Sequence, residues 1–459
     1  MSVFNTLGSI LEEGKFRFKE GVRIHFLGVL GAGMMPLSEL CHFLGASVFG
    51  SDAAYRATDT IKYPHVTFTP LGSYPIPSVV VASLAINADD AELLRAKREG
   101  IPIIWRAELL GILMQGFSHR IGVAGTHGKS TTTALLHTVL SSCSKSPTTL
   151  AGAILPLGKS LAIGNRDYFV FEACEYRDAF LDTHPTGAVI TNIEIDHTDY
   201  FKSEEQLYAS FHKFASLSRE HLVIGSKTEL SAGLLRELPW AYSFGSGKEN
   251  DFVYSITEAT EDFTSFTLSL HGNKLDEFRI GMLGEHNVQN ATAALALCYL
   301  YGVDITKAKS ELEKFHGIPR RQQLLGYIEK RAVYYDYAHH PTEIYATISA
   351  LRQRHSQITV IFRPHTYTRT DSLFDGFVNA LSLADCAVVL DVYAARREEY
   401  SGKGARELAQ ALKRGVYLDF KEAVGYCLNN TEGAIVLMGA GEVENVKEEF
   451  KQYINKEKE

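Results

Sequence analysis

The sequence predicts an α/β protein built from three domains. The chain has 459 residues, well beyond the roughly 250–300 residues at which a single hydrophobic core stops growing. Short apolar runs alternate with amphipathic segments of helical length, which is typical of parallel sheets. A succession of strand, glycine turn and helix starts at three places along the chain. We therefore place the domains at residues 1–112, 113–322 and 323–459.

The first domain opens with the apolar run "RIHFLGVL", a glycine turn and the helical pattern "MMPLSELCHFLGA". The runs "SVFGSD", "SVVVASLAI" and "IPIIW" predict further strands. The glycines of this turn are Gly28, Gly31 and Gly33, and Asp52 follows the second strand. In a dinucleotide-binding turn the helix start receives a diphosphate and such an acid reaches a ribose hydroxyl. An NAD-dependent dehydrogenase would share this turn, but it would not explain the phosphate loop of the second domain.

The second domain begins with "VAGTHGKSTTT" at residues 123–133, directly after the apolar start "RIGV". Gly125 and Gly128 can turn backbone N–H groups inward, and a helix starting near Lys129 directs its positive end to the same place. Lys129 would then contact the β and γ phosphates of a nucleotide, and Ser130 would bind Mg²⁺. The common motif has glycine where this chain has Val123, so the loop is a variant. The alternative is a glycine turn that starts a helix with an exposed lysine.

Polar residues follow two later strands of this domain. Glu172 ends the run "DYFVFEAC", and a set of polar residues follows "GAVITNI". That set is Asn192, Glu194, Asp196, His197 and Asp199. Because the carboxyl ends of parallel strands share one edge of a sheet, we expect these groups to converge on a cation beside the phosphate loop, and carboxylates favour magnesium over zinc. Alternating runs between residues 240 and 285 predict antiparallel strands, and "HNVQNATAALALCYLYG" predicts a helix.

The third domain starts with "RAVYYDYAHHPTEI", continues through "ITVIFRPH" and "CAVVLDVY", and closes on "GAIVLMGAGEVENVKEEF". Asp336 stands at a strand end and is followed by His339 and His340. The segment "FRPHTYTRT" adds Arg363, His365 and Arg369, and arginine pairs bidentately with carboxylate or phosphate. A metal site formed by the paired histidines lacks the i, i+4 spacing of a helical ligand pair. We expect these histidines to cap a helix and to contact substrate.

Composition excludes several classes of protein. The net charge of −8 argues against nucleic acid as a partner. No apolar run approaches the ~18 residues that cross a bilayer, so we expect no membrane insertion. The opening stretch has Glu12 and Glu13 within its short apolar run and does not read as a secretory signal. The six cysteines form no CxxC pair, so we expect reduced thiols in a cytoplasmic protein.

Together these segments resemble the Mur ligase family, the ATP-dependent amide-forming enzymes of peptidoglycan assembly. The resemblance rests on stretches found in the family's order over nearly the whole chain: "IHFLGVLGAGM", "GSD", "AGTHGKSTTT", "FEACEY", "TNIEIDH", "GEHNVQNATAAL", "FHGIPRR", "DYAHHPTEI" and "FRPHTYTRT". It implies an N-terminal Rossmann-like domain for a UDP-sugar, a central ATPase domain of the P-loop type with a mixed sheet, and a C-terminal Rossmann-like domain for the amino acid. The motifs are most similar to members that join L-alanine to the lactyl carboxylate of UDP-N-acetylmuramate through an acyl phosphate.

The resemblance also implies roles for individual residues, with ATP and Mg²⁺ as the bound nucleotide and metal. It makes Lys129, Glu172 and His197 catalytic, and it gives the metal to Ser130, Glu172 and His197. The nucleotide-binding set is Gly125, Thr126, Gly128, Lys129, Ser130, Thr131, Asn287, Asn290, Arg321 and Asp336. The substrate-binding set is Gly28, Gly31, Gly33, Asp52, Ser83, His339, His365 and Arg369. The expected assembly is a monomer or a homodimer.

Three other functions remain open at this point. A recycling ligase that attaches a murein tripeptide to the same sugar nucleotide shares the motifs of the first two domains, although it usually lacks "PHTYTRT". A non-catalytic UDP-sugar-binding protein would bind without forming product. A simple ATPase or kinase would leave "GVLGAGM" without a purpose. One departure from the family is Met35-Pro36-Leu37, which stands where a small residue and glycine are usual after the first glycine turn.

Overall fold

The computed structural model describes residues 17–198, 200–394, 402–439, 441 and 443–454. Three sheets follow one another along the chain, each with helices packed on it, so the predicted α/β class is confirmed. The stretch for which we exclude a secretory signal lies outside the described residues. Within the described ranges, no helix is long and apolar enough to span a membrane.

The first sheet is entirely parallel and has the strand order β3-β2-β1-β4-β5. Its strands are β1 (Arg23–Leu27), β2 (Ser47–Ser51), β3 (Val66–Phe68), β4 (Val79–Ala82) and β5 (Ile103–Trp105). Its helices are α1 (Met35–Phe43), α2 (Ala57–Lys62), α3 (Ala91–Arg98) and α4 (Arg106–Leu113). Since β1 is central, the glycine turn after it lies at the middle of the sheet's carboxyl edge.

The second sheet has ten strands in the order β15-β14-β13-β12-β11-β10-β6-β9-β7-β8. The strands are β6 (His119–Ala124), β7 (Thr148–Leu150), β8 (Leu161–Ala162), β9 (Tyr168–Glu172), β10 (Gly187–Ile190), β11 (His221–Gly225), β12 (Tyr242–Gly245), β13 (Phe252–Ala259), β14 (Thr264–Leu270) and β15 (Asn273–Ile280). The helices are α5 (Lys129–Ser142), α6 (Glu204–Leu217), α7 (Glu229–Glu237), α8 (Glu285–Leu300) and α9 (Lys309–Glu313). The centre is parallel and β13, β14 and β15 are antiparallel, which confirms the predicted mixed sheet.

The third sheet has the order β16-β17-β21-β18-β19-β20 and is parallel except for the edge strand β16. Its strands are β16 (Gln323–Ile328), β17 (Arg331–Asp336), β18 (Ile358–Arg363), β19 (Cys386–Val389), β20 (Gly415–Tyr417) and β21 (Ala434–Gly439). Its helices are α10 (Pro341–Leu351), α11 (Tyr367–Ser372), α12 (Phe374–Leu381), α13 (Ala405–Ala411), α14 (Phe420–Asn430) and α15 (Val443–Ile454).

The first two domains share an apolar core, whereas the third domain has separate cores. One continuous core runs from the first sheet into the central domain, where Phe117 packs on Phe169 with ring centroids 4.8 Å apart. The third sheet has cores of its own on its two faces. The first two domains are therefore joined by apolar packing, whereas the contacts described below between the central and third domains are largely polar.

Candidate active site

The loop between β6 and α5 has the backbone of a phosphate-binding site. Gly125 and Gly128 have φ values of +129° and +83°, which side chains rarely tolerate. A Cβ atom at these positions would clash with the Thr191 hydroxyl and with Oδ1 of Asn290, respectively. No side chain caps the start of α5, so its first N–H groups are available to an anion. The predicted loop is thus present, with both glycines required by space and by conformation.

Lys129, the first residue of α5, folds back over this loop. Its ammonium donates to the carbonyls of Gly125 and Thr126 and lies 3.0 Å from Oε1 of Glu175. Burial lowers the pKa of Lys129, but Glu175 and the other nearby acidic groups outweigh burial, and the net pKa is raised. Lys129 therefore stays charged beside the loop.

Glu172 and Ser130 form the second part of the site. The Ser130 hydroxyl donates to Oε2 of Glu172 at 2.9 Å, and the N–H of Gly152 donates to the same oxygen at 2.8 Å. His197 lines the same cavity as these residues, and burial lowers its pKa, so the ring is neutral at pH 7. A hydroxyl and a carboxylate are oxygen donors of the kind that Mg²⁺ binds. Ser130 and Glu172 therefore fit magnesium by their chemistry, whereas the imidazole of His197 is a nitrogen donor, and its predicted place at the metal stays a prediction.

His127 stands at the centre of the loop and between two carboxylates. Its Nε2 lies 3.5 Å from Glu194 and its Nδ1 lies 3.5 Å from Glu343. Burial opposes charge on the ring, but the two carboxylates raise the pKa of His127 to about 9. Asn192 fixes the backbone of His127, since its side chain accepts from the N–H at 2.9 Å and donates to the carbonyl at 3.1 Å. The loop thus carries an imidazolium as well as an ammonium.

Glu343 brings the third domain to this loop. It lies in the first turn of α10, and Nη1 of Arg321 contacts it at 3.1 Å. The N–H of His339 donates to its other oxygen at 3.1 Å. Burial would raise the pKa of Glu343, but His339, Arg321 and His127 hold it well below its usual range. Glu343 was not predicted as a site residue, although it belongs to the segment "DYAHHPTEI".

Arg369 forms a buried ion pair with Asp196 across the same domain boundary. Nη2 and Nε of Arg369 lie 2.6 and 2.9 Å from Oδ1 of Asp196, and only 8% and 9% of the two side chains are exposed. Burial raises the pKa of Asp196, but Arg369 and neighbouring histidines bring it far below its usual value. Nη1 of Arg369 also contacts His365 at 2.9 Å. Arg369 therefore connects two domains, and its predicted contact with substrate stays a prediction.

Two cavities meet at these residues. The larger, of about 470 Å³, lies where all three domains meet. Its lining includes Ala32, Thr126, Gly128, Lys129, Ser130, Glu172, Cys174, His197, Arg321, His339, His365 and Arg369. The smaller, of about 160 Å³, lies between α8 and α10. Its lining includes His127, Gly128, Thr131, Asn287, Asn290, Arg321, Asp336 and Glu343. The predicted nucleotide residues thus border one or both cavities, apart from Gly125, which belongs to neither lining.

A third cavity, of about 840 Å³, separates the first domain from the central one. Its lining includes Ser83 and also Cys174, which lines the 470 Å³ cavity as well. In the glycine turn after β1, which contains Gly28, Gly31 and Gly33, Ala32 lines the 470 Å³ cavity, and the backbone of Gly33 lies against Arg106, which lines the 840 Å³ cavity. Of the predicted substrate-binding residues, Ser83 lines the 840 Å³ cavity, whereas His339, His365 and Arg369 line the 470 Å³ cavity. Gly28, Gly31, Gly33 and Asp52 belong to neither lining.

Asp52 holds the glycine turn of the first domain. Its Oδ2 accepts from the N–H of Leu30 at 2.9 Å and its Oδ1 accepts from the N–H of Ala54 at 2.8 Å. Both oxygens are thus used by the backbone, and a further contact with a ribose stays a prediction. Asp199 lies outside the described residues.

His340 caps α10, as expected, because its Nδ1 accepts from the N–H of Thr342 at 3.3 Å. The ligand atoms of His127, Glu194 and His340 lie within 4.8 Å of one another. The two carboxylates raise the pKa of His127 to about 9, so a cation at this group would have to displace a proton from the ring. Glu175, Glu343 and the ring of His127 were not predicted from the sequence. Glu175 stands three residues after Glu172, and Glu343 three after His340.

Three family models match this chain, one for each of the three sheets. Family models match residues 23–118 (Mur ligase family, catalytic domain), 123–298 (Mur ligase middle domain) and 320–441 (Mur ligase, glutamate ligase domain). The UDP-N-acetylmuramate--L-alanine ligase of Caldanaerobacter subterraneus subsp. tengcongensis is 37% identical over 452 residues, covering 93% of this chain and 97% of that protein. The enzyme of the same name from Caldicellulosiruptor saccharolyticus is 40% identical over 386 residues, covering 80% and 83%.

Solved structures agree with the sequence relatives. The UDP-N-acetylmuramate-alanine ligase MurC from Thermotoga maritima aligns with a TM-score of 0.80 at 25% identity, covering 95% of this chain and 99% of that one. A murein peptide ligase from Psychrobacter arcticus shares the fold, with a TM-score of 0.68 at 24% identity and the same coverage. With three matching family models and relatives above 30% identity over nearly its full length, this chain belongs to the Mur ligase family.

Proposed function

We propose that this protein is an ATP-dependent ligase that joins L-alanine to the lactyl carboxylate of UDP-N-acetylmuramate, as a cytoplasmic enzyme of peptidoglycan precursor synthesis. The observation that carries the proposal is the 470 Å³ cavity to which all three domains contribute. A phosphate loop lines it from the central domain, and histidine and arginine side chains line it from the third. The names of the relatives above supply the substrates.

The two adjoining cavities support one site for ATP and another for the sugar nucleotide. The 160 Å³ cavity, with Asn287 and Asn290 on one wall, would take the adenosine of ATP and leave the triphosphate on the loop. The 840 Å³ cavity between the first two domains would take the sugar nucleotide. Since Cys174 lines both the 840 Å³ and the 470 Å³ cavities, the lactyl carboxylate could reach the γ phosphate.

The reaction needs an activated acid, because a carboxylate is resonance-stabilised and does not react with an amine in water. A lactyl carboxylate oxygen attacks the γ phosphorus of ATP, the bond from that phosphorus to the β,γ-bridging oxygen breaks, and ADP leaves. The neutral amine of L-alanine then attacks the acyl carbon of this acyl phosphate. The C–O bond breaks, inorganic phosphate leaves with the former carboxylate oxygen, and the amine loses a proton.

The chain's own residues hold and neutralise the reacting groups. Lys129 would stabilise charge on the transferred phosphoryl group, which is the main protein contribution to such transfers. Ser130, Glu172 and His197 are the residues that would hold Mg²⁺, which when bound supplies further charge neutralisation on the triphosphate. The neutral His197 would also position the carboxylate. Closure of the third domain over the loop would exclude water from the acyl phosphate.

The proposal is tested by the substrate dependence of phosphate release. We expect the purified protein to release phosphate from ATP only with both UDP-N-acetylmuramate and L-alanine present, and mass spectrometry to detect the amide. Lys129→Ala should lower kcat by at least about 100-fold, whereas Lys248→Ala, an exposed lysine of the same domain, should not. Phosphate release that needs no amino acid would contradict a ligase. An amide formed with a tripeptide but not with alanine would favour the recycling activity instead.

A further inference from the structure

All three N–H donors of the Lys129 ammonium are used by protein acceptors. The ammonium donates to the carbonyls of Gly125 and Thr126 and to Oε1 of Glu175, and a lysine ammonium has three N–H groups. The lysine of a phosphate loop contacts the β and γ phosphates of its nucleotide. Lys129 would therefore bind a nucleotide by exchanging at least one of these acceptors for a phosphate oxygen.

Glu175 is the acceptor that a phosphate would replace. The carbonyls of Gly125 and Thr126 belong to the loop that carries Lys129, and they are neutral. Oε1 of Glu175 lies 3.0 Å from Nζ of Lys129 and carries a negative charge, as a phosphate oxygen does. Because the ammonium stands on a flexible stem of four carbons, Nζ can turn from the carboxylate to a phosphate while the backbone of α5 stays in place.

The carboxylate of Glu175 is held away from the nucleotide. Lys129 lines the 470 Å³ cavity, whereas Glu175 is buried outside its lining. The Glu175 carbonyl accepts from the N–H of Asp178 at 2.9 Å, and the hydroxyls of Tyr200 and Ser210 donate to the Asp178 carboxylate. We therefore expect Glu175 to stay in place when the lysine turns towards a phosphate.

Glu175 loses its main counter-charge when Lys129 leaves it. Among the residues that the structure describes, its Oε2 is buried and has no hydrogen-bond partner. The next basic group is His197, whose Nε2 lies 3.7 Å from Oε1. Separating a buried ion pair is unfavourable, because it leaves a charge without compensation. The carboxylate therefore opposes the transfer of Lys129 to a phosphate.

We propose that Glu175 is an internal anion that competes with the nucleotide for Lys129. While a nucleotide is bound, Lys129 neutralises its phosphates and leaves the carboxylate without its ion-pair partner. When the nucleotide dissociates, Lys129 returns to Glu175. Glu175 thus limits the affinity for nucleotide and favours the release of ADP after each turnover. This inference rests on the proposed function, because that function supplies ATP and ADP as ligands.

The test measures the binding of ADP with Mg²⁺ by calorimetry, without sugar nucleotide or amino acid. Glu175→Gln keeps the shape of the side chain and removes its charge, so it should bind ADP at least about 10-fold more tightly than the wild type. Glu175→Asp keeps the charge but shortens its reach, so its affinity should lie between those two. A merely structural role predicts the opposite sign, because a disturbed loop would bind ADP more weakly.

Two controls isolate the competition for Lys129. Glu229 forms an exposed ion pair with Arg236 in the same domain, at 2.9 Å, and Glu229→Gln should bind ADP like the wild type. In a Lys129→Met background there is no ammonium to compete for, so adding Glu175→Gln should change the affinity for ADP far less than it does when Lys129 is present. This comparison separates the competition from direct repulsion between Glu175 and the phosphates.

Two results would overturn the competition. One is a folded Glu175→Gln variant that binds ADP no more tightly than the wild type, and the other is a gain in affinity of the same size in the wild-type and Lys129→Met backgrounds. Thermal melting verifies folding, and Glu175→Asp provides a second variant if Glu175→Gln does not fold. Because no amide forms in this experiment, failure of the ligase proposal would be seen separately in the phosphate-release assay.

Discussion

At the scale of single residues, His127 has a role that its place in the loop does not reveal. Its backbone belongs to the phosphate loop, and its ring connects Glu194 of the central domain with Glu343 of the third. The ring of His340 lies 4.5 Å away between centroids, and burial and His127 lower the pKa of His340 to about 4. A neutral histidine thus packs on a charged one. Raising the pH deprotonates His127 and so removes its positive charge from the interface between the central and third domains.

We predict that the stabilisation due to His127 fades as the pH rises. A histidine whose pKa is higher in the folded protein stabilises it fully below the unfolded value of 6.5, and this contribution is lost as the pH passes about 9. Thermal or urea unfolding of the wild type and of His127→Gln should therefore differ most near pH 6, by at most about 3 kcal/mol, and least near pH 9.5.

The control for this prediction is an exposed pair of the same kind. His212 and Glu237 also lie 3.5 Å apart, but 38% and 57% of their side chains are exposed. Water screens such a pair, so His212→Gln should have little effect at either pH. A stability difference between wild type and His127→Gln that is the same at pH 6 and pH 9.5 would contradict a charged His127.

Among the secondary-structure elements, β6, the phosphate loop and α5 pack so closely on their neighbours that the loop glycines have no space for a Cβ atom. Asn290 of α8 packs against Gly128, while its Oδ1 accepts from the Thr132 hydroxyl at 3.3 Å. α5 and α8 lie side by side in one apolar core. The residue at position 128 is thus restricted both by its left-handed backbone and by a neighbouring helix.

Gly128→Ala should lose both stability and ATP affinity, and Gly158→Ala separates the two causes. Both glycines have φ near +84°, but a Cβ atom at Gly158 would meet nothing within 4 Å. Gly158→Ala should cost about 1 kcal/mol of stability from conformation alone. Gly128→Ala should cost more and should weaken ATP binding by at least about 10-fold in calorimetry, with partial recovery in Gly128→Ala/Asn290→Ala. Equal effects of the two single changes would contradict the steric account.

Strands and helices were predictable where apolar residues recur with a regular period. They were missed where tertiary contacts, rather than the local sequence, determine the backbone conformation. The alternating runs between residues 240 and 285 do form the antiparallel strands β13 to β15. The edge strand β16 was not predicted, since Leu324 and Tyr327 are exposed and give no clear alternation. The 3₁₀ segment Tyr176–Asp182 was missed too, because no sequence rule expects a left-handed backbone at an arginine.

At the scale of the whole molecule, the third domain is held differently from the other two. The first and central domains share an apolar core, whereas the third meets the central domain through ion pairs and hydrogen bonds. Thr342 donates to Glu194 at 2.6 Å, and the buried Arg369–Asp196 pair lies beside it. Polar contacts of this kind break at a lower cost than an apolar core, so we infer that opening and closing occur at the third domain.

The Arg369–Asp196 pair should stabilise the closed arrangement. Removing one partner leaves a buried charge without compensation, at a cost of about 3–5 kcal/mol. Asp196→Asn and Arg369→Gln should each enlarge the radius of gyration in small-angle X-ray scattering and lower kcat, and the double change should add little. Asp276 forms a more exposed ion pair with Lys309 at 2.6 Å. Asp276→Asn breaks this pair and should change neither the radius of gyration nor kcat. Additive effects of the two single changes would contradict a direct pairing.

The order of strands predicted which side chains of the central domain lie together, and the resemblance to the family supplied the site residues of the other two domains, but neither predicted the contacts across the domain boundary. Lys129, Ser130, Glu172 and His197 share one cavity, and we expected this because strand ends of one sheet meet at one edge. The partners of His127 and Asp196 lie in another domain, and no local pattern announces which side chains a domain boundary brings together. Glu343 and the Arg369–Asp196 pair could therefore be found only in the structure.

The proposed reaction depends on transfer of the γ phosphoryl group of ATP to the carboxylate of the sugar nucleotide. The most direct measurement uses UDP-N-acetylmuramate with ¹⁸O at both oxygens of its lactyl carboxylate, together with ATP and L-alanine. An acyl phosphate predicts that each inorganic phosphate released carries one ¹⁸O atom, detected by mass spectrometry, with ADP as the other product. Unlabelled phosphate, or label that appears in AMP, would contradict this mechanism.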